Sequence, residues 1–182
     1  EVLISSGSIE RPLVFGNNDT PGVMLSSAAK EYLKVYGVLV GKKPLIFTNN
    51  DSGYETAIEF KKNGVDPIIL DTRKEPKSEI IDEAKKLDIE IKFSYVVVAA
   101  KGYKKVKSAE VAKISDDKNE LGTLENINCD CICVSGFWTP TIHLASQSGN
   151  KTTFNKDIDA FVPGLSKQNE TTLGAANGTF TL

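Results

Sequence analysis

The sequence PLIFTNNDSGYETA, residues 44–57, decides the fold of the middle of the chain. An apolar strand at 44–48 leads through a tight turn into a helix that is expected to run from about Gly53 to Asn63. The pattern then repeats, with a strand in PIILDT at 67–72 and a helix in EIIDEAKKLD at 79–88. Strands that alternate with helices in this way predict a parallel sheet and an α/β fold.

The turn after the first strand resembles an altered dinucleotide fingerprint. In G-x-G-x-x-G the first two glycines form the turn and admit the pyrophosphate, and the third allows close packing of helix on strand. Thr48 and Asn50 take the first two positions and Gly53 the third. Asp71 ends the next strand, where an acidic residue would bind the ribose. The candidate dinucleotide-binding residues here are Thr48, Asn49, Asn50, Asp51, Gly53 and Asp71.

Two alternatives stay open at this turn. The Rossmann-like unit either binds a dinucleotide or keeps only the shape of such a unit, because the phosphate-facing glycines are missing. Arg73 follows Asp71 closely and could favour a 2′-phosphate, so the sequence does not decide between NAD and NADP.

The rest of the chain adds strands of a different kind. A helix is expected in MLSSAAKEYLKVYG, ending at Gly37, and the alternating β-branched pattern from residue 89 onward predicts an antiparallel meander. VLISSG at 2–7 and CICVSG at 131–136 are both apolar strands that end in Ser-Gly and are soon followed by proline.

Composition excludes several classes of function. A formal net charge of −2 and a pI near 5.6 argue against nucleic-acid binding. The sequence has neither a signal-peptide pattern nor an apolar run near 18 residues, so we expect no membrane association and a cytoplasmic location. The chain starts at Glu1 and its one methionine is Met24, which suggests a piece of a larger protein.

No catalytic or metal-binding residue is assigned. Cys129, Cys131 and Cys133 alternate, so a strand would place all three on one face, where we expect them to be buried core residues. Zinc sites need a second cysteine pair, which the sequence lacks. His143 is the only histidine, and a lone histidine more often packs than catalyses.

Five motifs carry a resemblance to a known family. They are GSIERPLVFGNNDTPGVMLSSAAKEYL (7–33), FTNNDSGYETA (47–57), VSGFWTPTIHLASQSG (134–149), FVPGL (161–165) and LGAANGTFTL (173–182). In order and spacing they resemble the alpha subunit of heterotetrameric sarcosine oxidase, within the flavoprotein oxidoreductases that have two dinucleotide-binding domains. The resemblance covers essentially the whole chain.

The resemblance implies an inserted domain. Residues 37–134 would form a Rossmann-like NAD(P)-binding domain with a parallel sheet and a β-meander. Residues 1–36 and 135–182 would be partial segments of an FAD/NAD(P)-binding domain. In the second segment Gly174 and Gly178 would let the backbone approach the dinucleotide of that larger domain.

The resemblance also implies an activity for the complete enzyme. It would oxidise the N-methyl group of sarcosine to give glycine, hydrogen peroxide and a one-carbon unit that is passed to tetrahydrofolate or released as formaldehyde. Substrate oxidation would occur at a flavin on another subunit, with NAD and FMN associated with the alpha subunit. The partners would be the other subunits of a heterotetrameric oxidase, and the isolated fragment would be inactive. The alternative is a ligand-free structural or assembly module of a related amine or opine oxidase subunit.

Overall fold

The computed structural model describes residues 1–115 and 120–180 and divides the chain into two compact units. The larger unit is continuous, from Pro12 to Phe137, and the smaller unit combines Glu1–Arg11 with Trp138–Leu182. The sequence-based boundaries at 36/37 and 134/135 differ from these limits, because residues 12–36 pack within the larger unit. In chain order the elements are β1 (Val2–Ile4), β2 (Ser8–Glu10), β3 (Val23–Leu25), α1 (Ser26–Tyr36), β4 (Pro44–Thr48), α2 (Ser52–Lys62), β5 (Ile68–Asp71), α3 (Glu79–Lys86), β6 (Glu90–Phe93), β7 (Tyr95–Gly102), β8 (Val106–Lys113), β9 (Glu125–Asn128), β10 (Cys131–Ser135), β11 (Trp138–Pro140), α4 (His143–Gln147), β12 (Thr152–Asn155), β13 (Ala160–Pro163), β14 (Glu170–Thr172) and a 3-10 helix (Gly174–Asn177).

A five-stranded parallel sheet organises the larger unit. Its strand order is β3-β10-β4-β5-β6, and every neighbouring pair is parallel. All residues of β4 and β10 are buried, as expected for central strands covered on both faces. The α/β fold with a parallel sheet and an antiparallel meander is therefore confirmed.

Each face of the sheet has its own apolar core. Ile46 points to the core formed with helices α1, α2 and α3, whereas Leu45 and Phe47 belong to the core formed with β7 and β8. This alternation follows from the two-residue period of a strand. Gly37 ends α1 in the left-handed conformation, with φ 64°, as the sequence indicated.

The structure corrects two sequence-based predictions, the start of the meander and the common face of the three cysteines. The meander does not start at residue 89, because β6 pairs in parallel with β5 and extends the central sheet. Ser94, with φ 57°, interrupts the extended backbone between β6 and β7, and the antiparallel sheet β7-β8-β9 starts only at Tyr95. The β-branched composition of both segments is the same, and it does not distinguish parallel from antiparallel pairing.

The cysteines do not share one face. Cys131 and Cys133 lie in the core on the helical side of the sheet, and Cys129 lies in the core on the other side. β10 begins only at Cys131, so the strand period does not reach back to Cys129. Asp130 lies at the intervening bend, where its carboxylate accepts the backbone N–H groups of Lys42 and Lys43, both at 2.8 Å. All three cysteines are buried and none forms a disulfide.

The smaller unit is built from short strand pairs. β1 pairs in parallel with β14, β2 is antiparallel to β11, and β12 is antiparallel to β13. Each of the first two pairs joins the beginning of the chain to a segment beyond residue 137. Across residues 1–115 and 120–180, none of the helices has both the length and the apolar character to cross a bilayer.

Candidate functional site

The candidate site lies at the carboxyl ends of three neighbouring strands. Thr48 ends β4, Asp71 ends β5 and Ser135 ends β10, and Thr48 is in register with both of the others. In open α/β sheets, ligands bind outside the carboxyl ends of the strands. The turn at 48–53 therefore lies where a dinucleotide would be sought.

Thr48 fills the place of the first fingerprint glycine with a fully buried side chain. Its Oγ1 donates to the carbonyl oxygen of Asn50 at 2.8 Å and accepts the Asn50 N–H at 3.1 Å. A Cβ placed on Gly53 would lie only 2.7 Å from both Cβ and Oγ1 of Thr48. Gly53 is thus needed for contact between α2 and Thr48, and this contact explains the glycine without a ligand.

Asn50 takes the second glycine position, and both the nitrogen and the oxygen of its side-chain amide make hydrogen bonds. Its Nδ2 donates to the carbonyl oxygen of Ser135 at 3.1 Å and to Asn49 Oδ1 at 2.9 Å. Its Oδ1 accepts the backbone N–H of Ser52 at 2.9 Å and also the Ser52 hydroxyl. The Asn50 side chain therefore accepts a hydrogen bond from a backbone N–H at the start of α2, which would otherwise be available to a phosphate.

Asp71 is fully buried, and both oxygens of its carboxylate accept hydrogen bonds from neighbouring groups. Tyr54 Oη donates to Asp71 Oδ2 at 2.7 Å. Arg73 donates its backbone N–H and Nε–H to Oδ1, at 2.9 and 3.1 Å, and Nη2–H to Oδ2 at 2.8 Å. A carboxylate offers about four acceptor positions, so none remains for a ribose hydroxyl.

Arg73 joins the two acidic residues of the site. Its Nη1 lies 2.8 Å from Asp51 Oδ1, while its other nitrogens bond Asp71. Burial acts to lower the pKa of Arg73, but the two paired carboxylates outweigh it and raise the pKa. The pKa of Tyr54 is also raised, by burial first and by its bond to Asp71 second. Tyr54 therefore stays neutral and Arg73 stays charged.

At this turn the protein's own groups take the places that a bound dinucleotide would use. The space beside Gly53, an N–H at the start of α2 and the carboxylate of Asp71 are all taken by the protein's own groups. Sequence reasoning named Thr48, Asn49, Asn50, Asp51, Gly53 and Asp71 but gave no role to Tyr54 or Ser135. The polar Ser135 at the end of the otherwise apolar CICVS strand is the signal that could have drawn attention to it.

The two remaining candidate glycines lie in the smaller unit. Gly174 begins the 3-10 helix with φ 62°, and a Cβ there would meet no atom of the described residues within 4 Å. Gly178 has φ 80°, and a Cβ there would lie 2.9 Å from both Ile158 Cδ1 and Val162 Cγ1. Packing accounts for Gly178, whereas the space beside Gly174 is open.

His143 is exposed at the start of α4. Among the residues that the structure describes, no group of three or more His, Cys, Asp or Glu side chains could hold a metal ion.

Comparison with solved structures defines the class of fold. The chain is similar to thioredoxin reductase from T. acidophilum, with a TM-score of 0.76 and 17% identity over 98% of this chain and 58% of that one. It is also similar to L-proline dehydrogenase from P. horikoshii, with a TM-score of 0.62 and 20% identity over 96% of this chain and 29% of that one. The fold is that of the FAD/NAD(P)-binding oxidoreductases.

Comparison with curated sequences is more specific. Sarcosine oxidase subunit alpha of Rhizobium meliloti (strain 1021) is 37% identical over 187 residues, spanning 98% of this chain and 17% of that protein. The subunit of the same name from Corynebacterium sp. (strain P-1) is 33% identical over 182 residues, spanning 99% and 19%. The resemblance to this alpha subunit is thereby confirmed, over less than a fifth of the relatives' length. No family model matches the chain.

Proposed function

We propose that the protein containing this chain acts as the alpha subunit of a sarcosine oxidase-type complex. The chain would contribute a dinucleotide-binding-type fold rather than the substrate site. The observation that carries the proposal is the 37% identity to a sarcosine oxidase subunit alpha across 98% of the chain.

The proposed reaction is the oxidative demethylation of sarcosine. The substrate loses two electrons and yields glycine, the methyl carbon passes to tetrahydrofolate, and dioxygen is reduced to hydrogen peroxide. A flavin on another subunit would supply the redox chemistry. This division of labour agrees with a chain whose buried carboxylate, Asp71, is committed to Tyr54 and Arg73 and has no acceptor to offer a substrate.

The cofactors and partners belong to the same proposal. FAD, FMN and tetrahydrofolate would serve the complete complex, and NAD would be the dinucleotide of the alpha subunit. The other subunits of a heterotetrameric oxidase would be the partners. A reducing, cytoplasmic compartment is proposed with them and is supported by three buried cysteines that form no disulfide.

The insert arrangement is part of the same proposal, and the division into one continuous unit and one two-segment unit supports it. The larger unit would be the inserted Rossmann-like domain, and the smaller unit would be part of a flavoprotein-like domain. If NAD binds near this chain, Gly174 is the better candidate for backbone contact, because its left-handed conformation faces open space.

The test is oxidation of sarcosine by the intact protein assembled with its partner subunits. We expect sarcosine-dependent oxygen uptake with stoichiometric peroxide, and methylene transfer when tetrahydrofolate is present. Proline and other secondary amino acids serve as comparison substrates. Oxidation of one of these with no activity on sarcosine would overturn the proposal in favour of a related amine or opine oxidase. Extraction and identification of the bound nucleotides would test the cofactor assignment.

A further inference from the structure

We infer that the turn at 48–53 is a closed clamp that holds three strand ends together and binds no dinucleotide. The clamp consists of Thr48, Asn50, Ser52 and Ser135 on one side, and Asp51, Tyr54, Asp71 and Arg73 on the other. This inference goes beyond the proposed function and does not depend on which amine the complex oxidises.

The first argument is steric. A dinucleotide requires a tight turn at the first glycine position and close approach of the backbone to the pyrophosphate at the second. Here the Thr48 side chain lies in the turn itself and bonds both the N–H and the carbonyl of Asn50. The space left by the missing Cβ of Gly53 faces Thr48, at 2.7 Å. The surviving glycine serves internal packing.

The second argument concerns hydrogen-bond donors. Pyrophosphate binding at a helix start uses backbone N–H groups that the protein leaves unbonded. At this turn four of them already have protein acceptors. The N–H of Asn49 donates to Ser135, that of Asn50 to Thr48, that of Ser52 to Asn50, and that of Tyr54 to Asp51. Binding a phosphate would require breaking these bonds.

The third argument concerns the ribose and the charge. All acceptor positions of Asp71 are used by Tyr54 and Arg73, so a ribose diol would have to displace a buried ion pair. Within this cluster two carboxylates, Asp51 and Asp71, face one guanidinium, Arg73. The excess of negative charge disfavours a pyrophosphate beside it.

The same contacts explain what the turn does instead. Asn50 and Ser52 bond Ser135 at the end of β10, and Thr72 donates its N–H to the carbonyl of Thr48 at the end of β4. The three adjacent strands are thus joined beyond their last ladder bonds. The turn therefore crosslinks the strand ends through hydrogen bonds.

The experiment uses the intact protein and two variants of the clamp, Tyr54→Phe and Asp71→Asn. Tyr36→Phe and Asp19→Asn are matched controls at exposed positions. NAD, NADP and ADP are titrated by equilibrium dialysis, and thermal unfolding is measured on the same samples. We expect Tyr54→Phe to lower the unfolding midpoint by about 2–6 °C. Nucleotide affinity should change less than twofold, and both controls should behave as wild type.

Hydrogen exchange locates any nucleotide that the intact protein binds. The expected result is unchanged exchange of residues 48–56 on saturation with each nucleotide. Protection of these residues, or a tenfold loss of affinity in Tyr54→Phe or Asp71→Asn at unchanged stability, would overturn the inference. Should Asp71→Asn fail to fold, Tyr54→Phe and the exchange measurement still decide. Sarcosine oxidation is a separate readout, so failure of the proposed function is distinguishable from failure of this inference.

Discussion

Gly53→Ala tests the contact between α2 and the end of β4. Two effects of opposite sign compete. Alanine within a helix is favoured over glycine by about 1 kcal/mol. The new methyl carbon would lie 2.7 Å from Cβ and Oγ1 of Thr48, and overpacking of this kind typically costs about 1–3 kcal/mol. Thr48 is fully buried and bonded twice to Asn50, so its Cβ cannot move aside without breaking those bonds.

We therefore expect overpacking to win, with a net loss of about 1–2 kcal/mol in the free energy of unfolding. Urea denaturation followed by far-ultraviolet circular dichroism measures it. A double-mutant cycle with Thr48→Gly, which removes the clashing atoms, should show a favourable coupling of about 1 kcal/mol or more. If Gly53→Ala stabilises the protein, or if Thr48→Gly leaves its cost unchanged, the steric reasoning is refuted.

Three further predictions concern buried charge, a thiol and backbone strain. Arg73→Met leaves the buried carboxylate of Asp71 without its cation and should cost about 3 kcal/mol in urea denaturation, since the guanidinium is partly exposed; a loss below about 0.5 kcal/mol would contradict the pairing. Burial raises the pKa of Cys129 to about 12, so the folded state favours the neutral thiol. The contribution of the neutral Cys129 thiol to the free energy of unfolding is complete below the ordinary thiol pKa of about 8.5 and is lost as the pH rises toward 12. We therefore expect the free energy of unfolding to fall less steeply with pH in Cys129→Ala than in the wild type. Equal slopes would contradict this prediction. Gly178→Ala should lower the thermal midpoint more than Gly174→Ala, because both pay for positive φ but only Gly178 has side chains at 2.9 Å; equal shifts would show that packing is unimportant there.

The sequence predicted the parallel part of the fold well because local signals were strong there. Gly37 and the Asn63-Gly64 pair mark the ends of α1 and α2, and Gly64 takes φ 79° as the turn requires. β6 was assigned to the wrong sheet because its residues do not reveal which strand they pair with. That choice depends on Ser94, whose positive φ separates β6 from β7 and is not the kind of conformation predicted for serine.

The site was only partly predictable, for a related reason. Asn50 and Asp71 were found from their spacing in a known fingerprint. What the fingerprint does not contain is the identity of the groups that face them across the fold. Ser135 is 85 positions away from Asn50 in the chain, and Tyr54 reaches Asp71 from α2 on the helical face of the sheet. Such contacts decide whether a polar turn is open or closed, and they depend on tertiary structure.

The position of β10 has a consequence for the order of assembly during synthesis. It is the last strand of the larger unit to leave the ribosome, yet it is an interior strand that lies between β3 and β4. Until residues 131–135 are available, the edges of β3 and β4 that they cover lack partners, and a nascent chain would expose them. Completion of the sheet therefore waits for β10, an interior strand, which favours late, cooperative folding over gradual growth from the amino end.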